Sequence, residues 1–359
     1  SEAVLRGKQL GQAEGVLGVE RLDNDIKLIY AVASNCLINQ HANLQRSAAI
    51  LQDEHKVEFL AVQDNFLTPT ARFADLVLPA CTQFETWGIE DGWKYGDEAI
   101  LMPKLVEPLG ESKSDYRICA ELAERLGFGA AYTEGRDERA WVAWVIERYR
   151  ETRFPDIPDL DEFEASNCGV YAHPVTEPAV AFADFRRDPL RYPLNTPSGK
   201  IEIFSRALFD LGQPETIPAV PKYIQEWESP FGPEAQRYPL QAIGHHTLQR
   251  VHSTHANNDW LVEAFPQRVF INPLDARARG IRDGDQVRVF NERGKIELLC
   301  RVTPKILPGV VDIPQGAWWS PAKDGSDPGG CVNLLTSERW TPLAFGTAQH
   351  TAMVQIEKC

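Results

Sequence analysis

The stretch Arg268-Val269-Phe270-Ile271-Asn272-Pro273-Leu274-Asp275-Ala276, continued by Gly280-Ile281-Arg282-Asp283-Gly284-Asp285 and Gln286-Val287-Arg288-Val289-Phe290-Asn291, decides how this chain folds. Arg268 to Asn272 reads as a strand, Pro273 to Arg279 as a short helix with proline in its first turn, and 280–285 as a tight turn. Gln286 to Asn291 and Lys295 to Thr303 then alternate apolar and polar residues on either side of Asn291-Glu292-Arg293-Gly294, a hairpin signal. Val310 to Ile313 and Ala352 to Ile356 supply later strands. From Tyr238 onward, then, the pattern predicts a closed or nearly closed β-barrel of about 120 residues.

Towards the amino terminus the texture differs. Ile26 to Ala33 is apolar almost throughout, which predicts a strand buried on both faces of a parallel sheet. A polar loop runs from Ser34 to His41. Leu44, Ala48 and Leu51 recur at helical spacing within Asn43 to His55, Val57 to Val62 forms a second strand ending at Gln63-Asp64-Asn65, and Ala74 to Pro79 a third. This alternation predicts a doubly wound parallel α/β domain, whose ligands bind at the loops leaving the carboxyl ends of the strands. Those loops carry Asn35, Asn39, Gln40, Asp64, Asn65 and Glu85. Helices are expected near Ser114 to Leu126, opened by a Ser-Asp cap, and from Glu138 to Arg150. Residues 154–237 read as an irregular connecting region, with a short strand at Ile201 to Phe204 after the Pro197-Ser198-Gly199 turn. The domains expected are 1–153, 154–237 and 238–359.

Composition removes several function classes. With 51 acidic against 37 basic residues and a net charge of -14, the chain is unsuited to a broad nucleic-acid or anionic-lipid surface, which needs clustered Lys and Arg. No apolar run approaches the roughly 18 to 20 residues of a membrane-spanning helix. The seven cysteines, Cys168 among them, form no C-x-x-C pair, so neither zinc nor an iron–sulfur cluster can be read from them. Most read as buried small apolar residues, Cys36 in the loop after the first strand being the one to watch. The chain opens at Ser1-Glu2-Ala3 with no Met, signal peptide or targeting pattern, and reads as a fragment. There is no G-x-S-x-G, no Walker loop and no G-x-G-x-x-G between strand and helix, which sets aside hydrolases and simple nucleotide dehydrogenases.

Ile271-Asn272-Pro273-Leu274-Asp275-Ala276, Arg279-Gly280-Ile281, Asp283-Gly284-Asp285 and Asn291-Glu292-Arg293-Gly294 together resemble the carboxy-terminal dinucleotide-binding barrel of molybdopterin oxidoreductases. Asn35 to His41, Ala74 to Pro79 and Thr196 to Glu202 are similar to the α/β half and linker of the same proteins. Arg250-Val251-His252-Ser253-Thr254 and Gly330 to Thr336 most resemble the dimethyl sulfoxide reductase branch. The resemblance covers the chain from about Ile26 to its end and implies a six-stranded double-psi-type barrel after part of a larger α/β domain. It implies a molybdenum bis(molybdopterin guanine dinucleotide) cofactor, with a [4Fe–4S] cluster and the molybdenum ligand in an amino-terminal half that has no counterpart here. It further implies reduction of dimethyl sulfoxide or related S- and N-oxides in anaerobic respiration, an iron–sulfur electron-transfer subunit, a membrane anchor and a periplasmic location. The chain alone is then expected not to turn over, and no nucleic-acid partner is expected.

The same resemblance organises the candidate site. Guanine presents its N1–H and exocyclic amine side by side, and a carboxylate accepts both, which rejects adenine. Asp64, with Asn65 beside it, stands where such a carboxylate is wanted; the plainer reading is a cap for Thr68 to Arg72. Asp115 is a second candidate, equally readable as a helix cap. Asn35, Asn39 and Gln40 can satisfy a pterin edge or a phosphate without fixed charge, or serve only as turn residues. Gly244 to Ser253 is the densest polar cluster. Adjacent His245 and His246 point to opposite sides of an extended segment and no third ligand stands at metal-site spacing. The favoured reading is a cofactor loop, with Arg250 and backbone N–H groups meeting pyrophosphate and His245, His246, His252 and Ser253 meeting pterin atoms. His255 reads as an ordinary surface or turn residue. Trp318, Trp319, Asn333, Gln349 and His350 are candidates for the same cleft, although a tryptophan pair is more often packing.

Three other readings stand beside this one. The first is another member of the superfamily with a different substrate, and the second is a non-catalytic scaffold or electron-transfer subunit of the same fold. A scaffold would not need so many unpaired polar groups in a cleft. The third is an isolated half that binds guanine nucleotides weakly.

Overall fold

The computed structural model describes residues 2–11, 16–93, 96–166, 169–174, 180–344 and 346–359. The chain divides into two compact units: Ser1–Val62, Leu67–Val77 and Ile203–Cys359 form the first, Gln63–Phe66 and Leu78–Glu202 the second. It begins with α1 (Glu2–Arg6), β1 (Leu28–Val32), α2 (Leu44–Leu51), β2 (Phe59–Asp64) and β3 (Leu76–Pro79). Next come β4 (Gly88–Asp91), β5 (Glu98–Met102), α3 (Asp115–Arg125), α4 (Gly129–Thr133), α5 (Glu138–Thr152), α6 (Leu160–Ala165) and β6 (Val170–Ala172). The short helices α7 (Ala183–Arg187) and α8 (Arg206–Asp210) lead to β7 (Leu240–Ile243), α9 (Asp259–Ala264), β8 (Arg268–Ile271), α10 (Pro273–Ala278), β9 (Gln286–Phe290) and β10 (Lys295–Val302). The last strands are β11 (Val310–Asp312), β12 (Ser326–Asp327), β13 (Ser337–Trp340), β14 (Thr347–Ala348) and β15 (Ala352–Lys358).

The barrel is the organising element of the first unit. Its strands run in the order β10-β8-β11-β7-β15-β9, and β9 pairs back to β10, closing a ring of six; β12 adds one strand outside it. The hairpin expected around Asn291 closes with Lys295 opposite Phe290 and Leu299 opposite Gln286. Alternation decides which side chains enter: Val287 and Val289 from β9, Ile296, Leu298 and Cys300 from β10, and Val354 and Ile356 from β15 are buried. Ile38, Leu44 and Ala48 join the same core, so the loop after β1 and the helix α2 are packed against the barrel interior. Asn272 starts α10 by accepting the N–H of Leu274 at 2.9 Å, with Pro273 fixing the first turn. The α/β part and the six-stranded barrel after it are thus as the sequence predicts.

The sheet β1-β2-β3 departs from expectation in one respect. Ile29 and Ala31 pack with Leu60 and Val62, but Leu28 is 59% exposed and Tyr30 and Val32 are also exposed. The strand is buried on one face, not two: Leu28, Tyr30 and Val32 alternate onto a face that no layer covers among the described residues.

In the second unit β4, β5 and β6 form an antiparallel sheet. Ala99 and Leu101 of β5 share a core with Val142, Ile146, Phe154, Ile157, Leu160 and Phe163. Ser114 caps α3, accepting the N–H of Arg117 at 3.1 Å, and Asp137 caps α5, accepting that of Ala140 at 2.8 Å. The stretch read as irregular therefore carries α6, β6, α7 and α8. The strand expected at Ile201 to Phe204 does not form. The Gly199 turn closes, with the N–H of Leu194 on its carbonyl, yet no strand pairs with residues 201–204, and Ile201 and Ile203 stay exposed.

Two of the six described cysteines, Cys300 and Cys331, are buried, Cys81 and Cys119 are half-buried, and Cys36 and Cys359 are exposed. The expectation that most are buried is therefore not met, and Cys168 lies outside the described residues. Burial pushes the Cys300 and Cys331 thiols up to about 12, so neither is a nucleophile at neutral pH. Iodoacetamide at about pH 8 is expected to modify Cys36 and Cys359 in the native chain and to reach Cys300 and Cys331 only after denaturation. Peptide mapping checks this, and native labelling of Cys331 would mean that its loop opens.

Candidate functional site

In the first unit, the residues of five distant segments, Gln315 and Gly316 after β11 among them, meet around one cavity of about 400 Å³. Asn39 and Gln40 come from the loop after β1, Gly244, His246, His252 and Ser253 from the segment after β7, Cys331 and Asn333 from the turn after β12, and Gln349 and His350 from the approach to β15. No Asp, Glu, Lys or Arg lines it among the described residues. Its wall offers amide, imidazole, hydroxyl and backbone groups, which donate and accept hydrogen bonds without fixed charge.

Each wall is built from buried polar bonds. Asn39, only 3% exposed, donates from Nδ2 to the carbonyl of Ala317 at 3.1 Å and accepts the N–H of Trp319 on Oδ1 at 2.9 Å. Its own carbonyl accepts from Asn333 Nδ2 at 2.8 Å. Asn39 thus fastens the segment 317–319 and aims Asn333, and its amide is committed within the protein. Asn35 is similarly engaged: Oδ1 accepts the N–H of Thr70 at 3.1 Å, and Nδ2 approaches Ser253 Oγ at 3.5 Å. Asp327, fully buried, accepts the N–H groups of Ser320, Gly329 and Cys331 at 3.0, 2.9 and 2.7 Å and so shapes the turn that presents Cys331 and Asn333.

The two adjacent histidines part company, as an extended segment requires. His245 Nδ1 pairs with Asp312 at 2.6 Å, while His246 faces the cavity and meets the His252 ring edge-on, centroids 5.0 Å apart. Gln315 Nε2 lies 2.9 Å from His252 Nδ1, a pairing in which the amide donates and the ring carries its proton on Nε2. His350 Nδ1 accepts the N–H of Gly244 at 3.3 Å, which leaves its Nε2–H for the cavity. Among the described residues no hydrogen bond ties the side chains of Gln40, His246 or Gln349. Gln315 and Gly316 escaped the sequence reading, since a lone Gln-Gly pair carries no pattern.

Arg250 lines a different cavity of the first unit, of about 340 Å³, together with Arg72, His255 and Trp318. Its guanidinium donates to Gln267 Oε1 at 2.8 Å, to the carbonyl of Gln315 at 3.0 Å and weakly to Thr247 Oγ1 at 3.4 Å. Burial pushes its pKa down. Trp318 Nε1 donates to the carbonyl of Ser253 at 2.8 Å, and Trp319 stacks on Phe73 with centroids 6.2 Å apart. Both tryptophans therefore have evident packing or bracing contacts.

In the second unit, Asp64 Oδ1 accepts the N–H groups of Asn65 and Phe66 at 2.8 and 3.4 Å, closing the turn after β2. It does not cap Ala71; Thr68 Oγ1 accepts that N–H at 3.2 Å. Burial raises the Asp64 pKa against those two bonds, and the nearby Asp115 carboxylate raises it a little further. Asp115 itself is exposed, leaves the capping of α3 to Ser114, and accepts from the fully buried Gln63. Two carboxylates, one at the end of β2 and one at the start of α3, thus stand near each other in one unit, neither of them neutralised by an arginine or lysine bridge among the described residues. Glu85 is committed to its own loop, accepting from Thr82 and from the N–H of Leu109 at 2.7 Å, bonds that hold its pKa down.

The comparisons with known proteins concern the family and the fold. A family described as molybdopterin oxidoreductase matches residues 5–125, and one described as molydopterin dinucleotide binding domain matches residues 240–353. The chain is similar to dimethyl sulfoxide reductase DmsA of Escherichia coli (strain K12), 41% identical over 367 residues that span 100% of this chain and 45% of the relative. It is 40% identical over 348 residues to the dimethyl sulfoxide/trimethylamine N-oxide reductase of Cereibacter sphaeroides, covering 93% of this chain and 41% of that one. Among solved structures, acetylene hydratase from Pelobacter acetylenicus superposes with a TM-score of 0.71 at 23% identity, over 94% of this chain and 45% of that chain, a likeness of fold. The chain spans less than half the length of these relatives.

Proposed function

The chain belongs to the molybdopterin oxidoreductase superfamily, and from that premise we propose that it is the cofactor-binding carboxy-terminal part of an enzyme that reduces dimethyl sulfoxide or a related S- or N-oxide in anaerobic respiration. The observation that carries this reading is the uncharged polar cavity of the first unit. A pterin edge alternates donors and acceptors and bears no net charge, and the residues present fit it: imidazole and amide groups at the wall, with no carboxylate to repel a dithiolene and no cation to trap it. When bound, a molybdenum bis(molybdopterin guanine dinucleotide) centre supplies two-electron oxygen-atom transfer.

The chain's own residues orient and insulate that group. In this proposal Gln40, His246, His252, Ser253, Asn333, Gln349 and His350 hold the pterin, and Asn39 and Asn35 keep the wall in register from behind. Gln315 fixes the His252 tautomer, so that its Nε2–H points as a donor. Asp64 and Asp115, with Asn65 beside them, are assigned to guanine, whose paired N–H donors suit a carboxylate. His245, bound to Asp312, positions the segment and does not contact the cofactor. An iron–sulfur subunit, a membrane anchor and a periplasmic site of action belong to the same proposal; among the described residues no helix is long and apolar enough to cross a membrane.

The test uses the whole subunit. Metal analysis and pterin fluorescence after acid release are expected to give molybdenum with about two pterins per chain, since bis-dinucleotide enzymes carry two. Asp64→Ala is expected to lose most of its guanine dinucleotide while its thermal unfolding stays within about 1 kcal/mol of wild type, the range of a part-exposed substitution. Unchanged guanine content would remove Asp64 from the site, and absence of both molybdenum and pterin would favour the scaffold reading.

A further inference from the structure

The 340 Å³ cavity lined by Arg250 and Trp318 is chemically unlike the uncharged one. Its lining brings the arginines Arg72 and Arg250 together with the apolar Leu261, Val262, Phe265 and Trp318. Arg250 is half-buried, and its donors meet only neutral oxygens. Among the described residues neither arginine forms an ion pair, although the chain has 51 carboxylates to its 37 basic residues. A half-buried guanidinium without a counter-charge is costly; Arg250 keeps the N–H groups of Nη1, no hydrogen bond ties the exposed Arg72 guanidinium among the described residues, and the two together can meet the oxygens of one anion. Asp259 is the one carboxylate on the cavity wall and His255 the one other titratable group among the described residues. Gln267 holds the arrangement, accepting from Arg250 while donating to the carbonyl of Pro314 at 2.6 Å.

We propose that this cavity is a second binding site, for a small organic anion whose carboxylate or phosphate group is met by Arg72 and Arg250 and whose apolar body lies against Val262 and Phe265. The volume exceeds what a bare oxyanion fills and lies within the range of small-molecule sites. The site is separate from the cavity assigned to the pterin, and it stands whether or not that assignment does.

The test is a titration of the whole 359-residue chain with phenyl phosphate and with benzoate, read by calorimetry and by the Arg Nε–H resonances in nitrogen-15 spectra. At least one is expected to bind saturably at one per chain and to shift the Arg250 Nε–H signal. The tighter of the two identifies the preferred anionic group. Inorganic phosphate and phenol, each lacking half of the ligand, are expected to bind about tenfold or more weakly, the loss of one set of contacts. Arg250→Gln is expected to weaken binding about tenfold and Arg72→Gln about threefold, with Arg250→Lys between wild type and Arg250→Gln. Should Arg250→Gln fail to fold, the exposed Arg72 decides alone. The proposal is overturned if neither anion saturates, if phenol binds as well as phenyl phosphate, or if the arginine variants that fold bind like wild type. Loss of molybdenum or pterin from the whole subunit bears only on the cofactor reading.

Discussion

Asp327→Ala is expected to destabilise the first unit by about 3 to 5 kcal/mol, because it strips three buried N–H donors of their acceptor at once. The carboxylate is fully buried, and Ser320, Gly329 and Cys331 all donate to it. Alanine leaves a void and three unsatisfied amides in the turn that carries Asn333. Asp327→Asn keeps the two bonds on Oδ1 and loses that of Cys331, so its loss is expected to be smaller, about 1 to 2 kcal/mol. The pH dependence has a definite sign. Burial raises the Asp327 pKa, against the three N–H bonds, so the native state binds this proton more tightly than the unfolded chain. Stability from this group therefore falls as pH rises from the unfolded value of about 3.9 through the folded one, and the Asn variant lacks that fall. Urea unfolding across this range measures both; a loss below about 1 kcal/mol for the alanine variant would show that other acceptors replace the carboxylate.

Gly316→Ala is the second large effect. Gly316 sits at φ +93°, and a Cβ there would overlap the carbonyl oxygen of His252. The obstacle is backbone, and His252 itself stands at φ +51°, so the opposing segment has little room to yield. The cost is expected to exceed about 3 kcal/mol, and relief of the clash must move His252 out of the cavity wall. Thermal unfolding reads the first part and the His252 imidazole resonance the second. A variant with wild-type stability and an unmoved imidazole signal would contradict the close approach.

The barrel was legible because its signals are local. Strict alternation in Val287-Arg288-Val289 and Ile296-Glu297-Leu298, with Asn291 to Gly294 between, defines a hairpin without reference to anything distant. The sheet of the second unit was not, because β5 pairs with β6 across some seventy residues and each strand is short. The segment Ile201 to Phe204 erred the other way: a turn and two isoleucines resemble a strand, but no partner arrives. The single face of β1 was missed because an apolar run records what can be buried, not how many layers cover it. At the site, the density of Asn, Gln and His marked the right segments. Their division between two cavities was hidden, since neighbours in sequence part there: Arg250 lines one cavity and His252 the other, in a stretch whose His252 and His255 both stand at positive φ.

Barrel closure also sets an order of events during synthesis. The ring is completed only when β15 inserts between β7 and β9, and Ala352 pairs with Ala242 across more than a hundred residues. Until Lys358 has been made, β7 and β9 each present an unpaired edge, and Leu240, Val287 and Val289 have no enclosed interior to fill. Ile38 and Leu44, translated more than three hundred residues earlier, must wait for the same event to find their core. The nascent chain thus carries an open sheet edge until its last strand is made, and an unpaired strand edge of that kind is where a folding chain is exposed to aggregation.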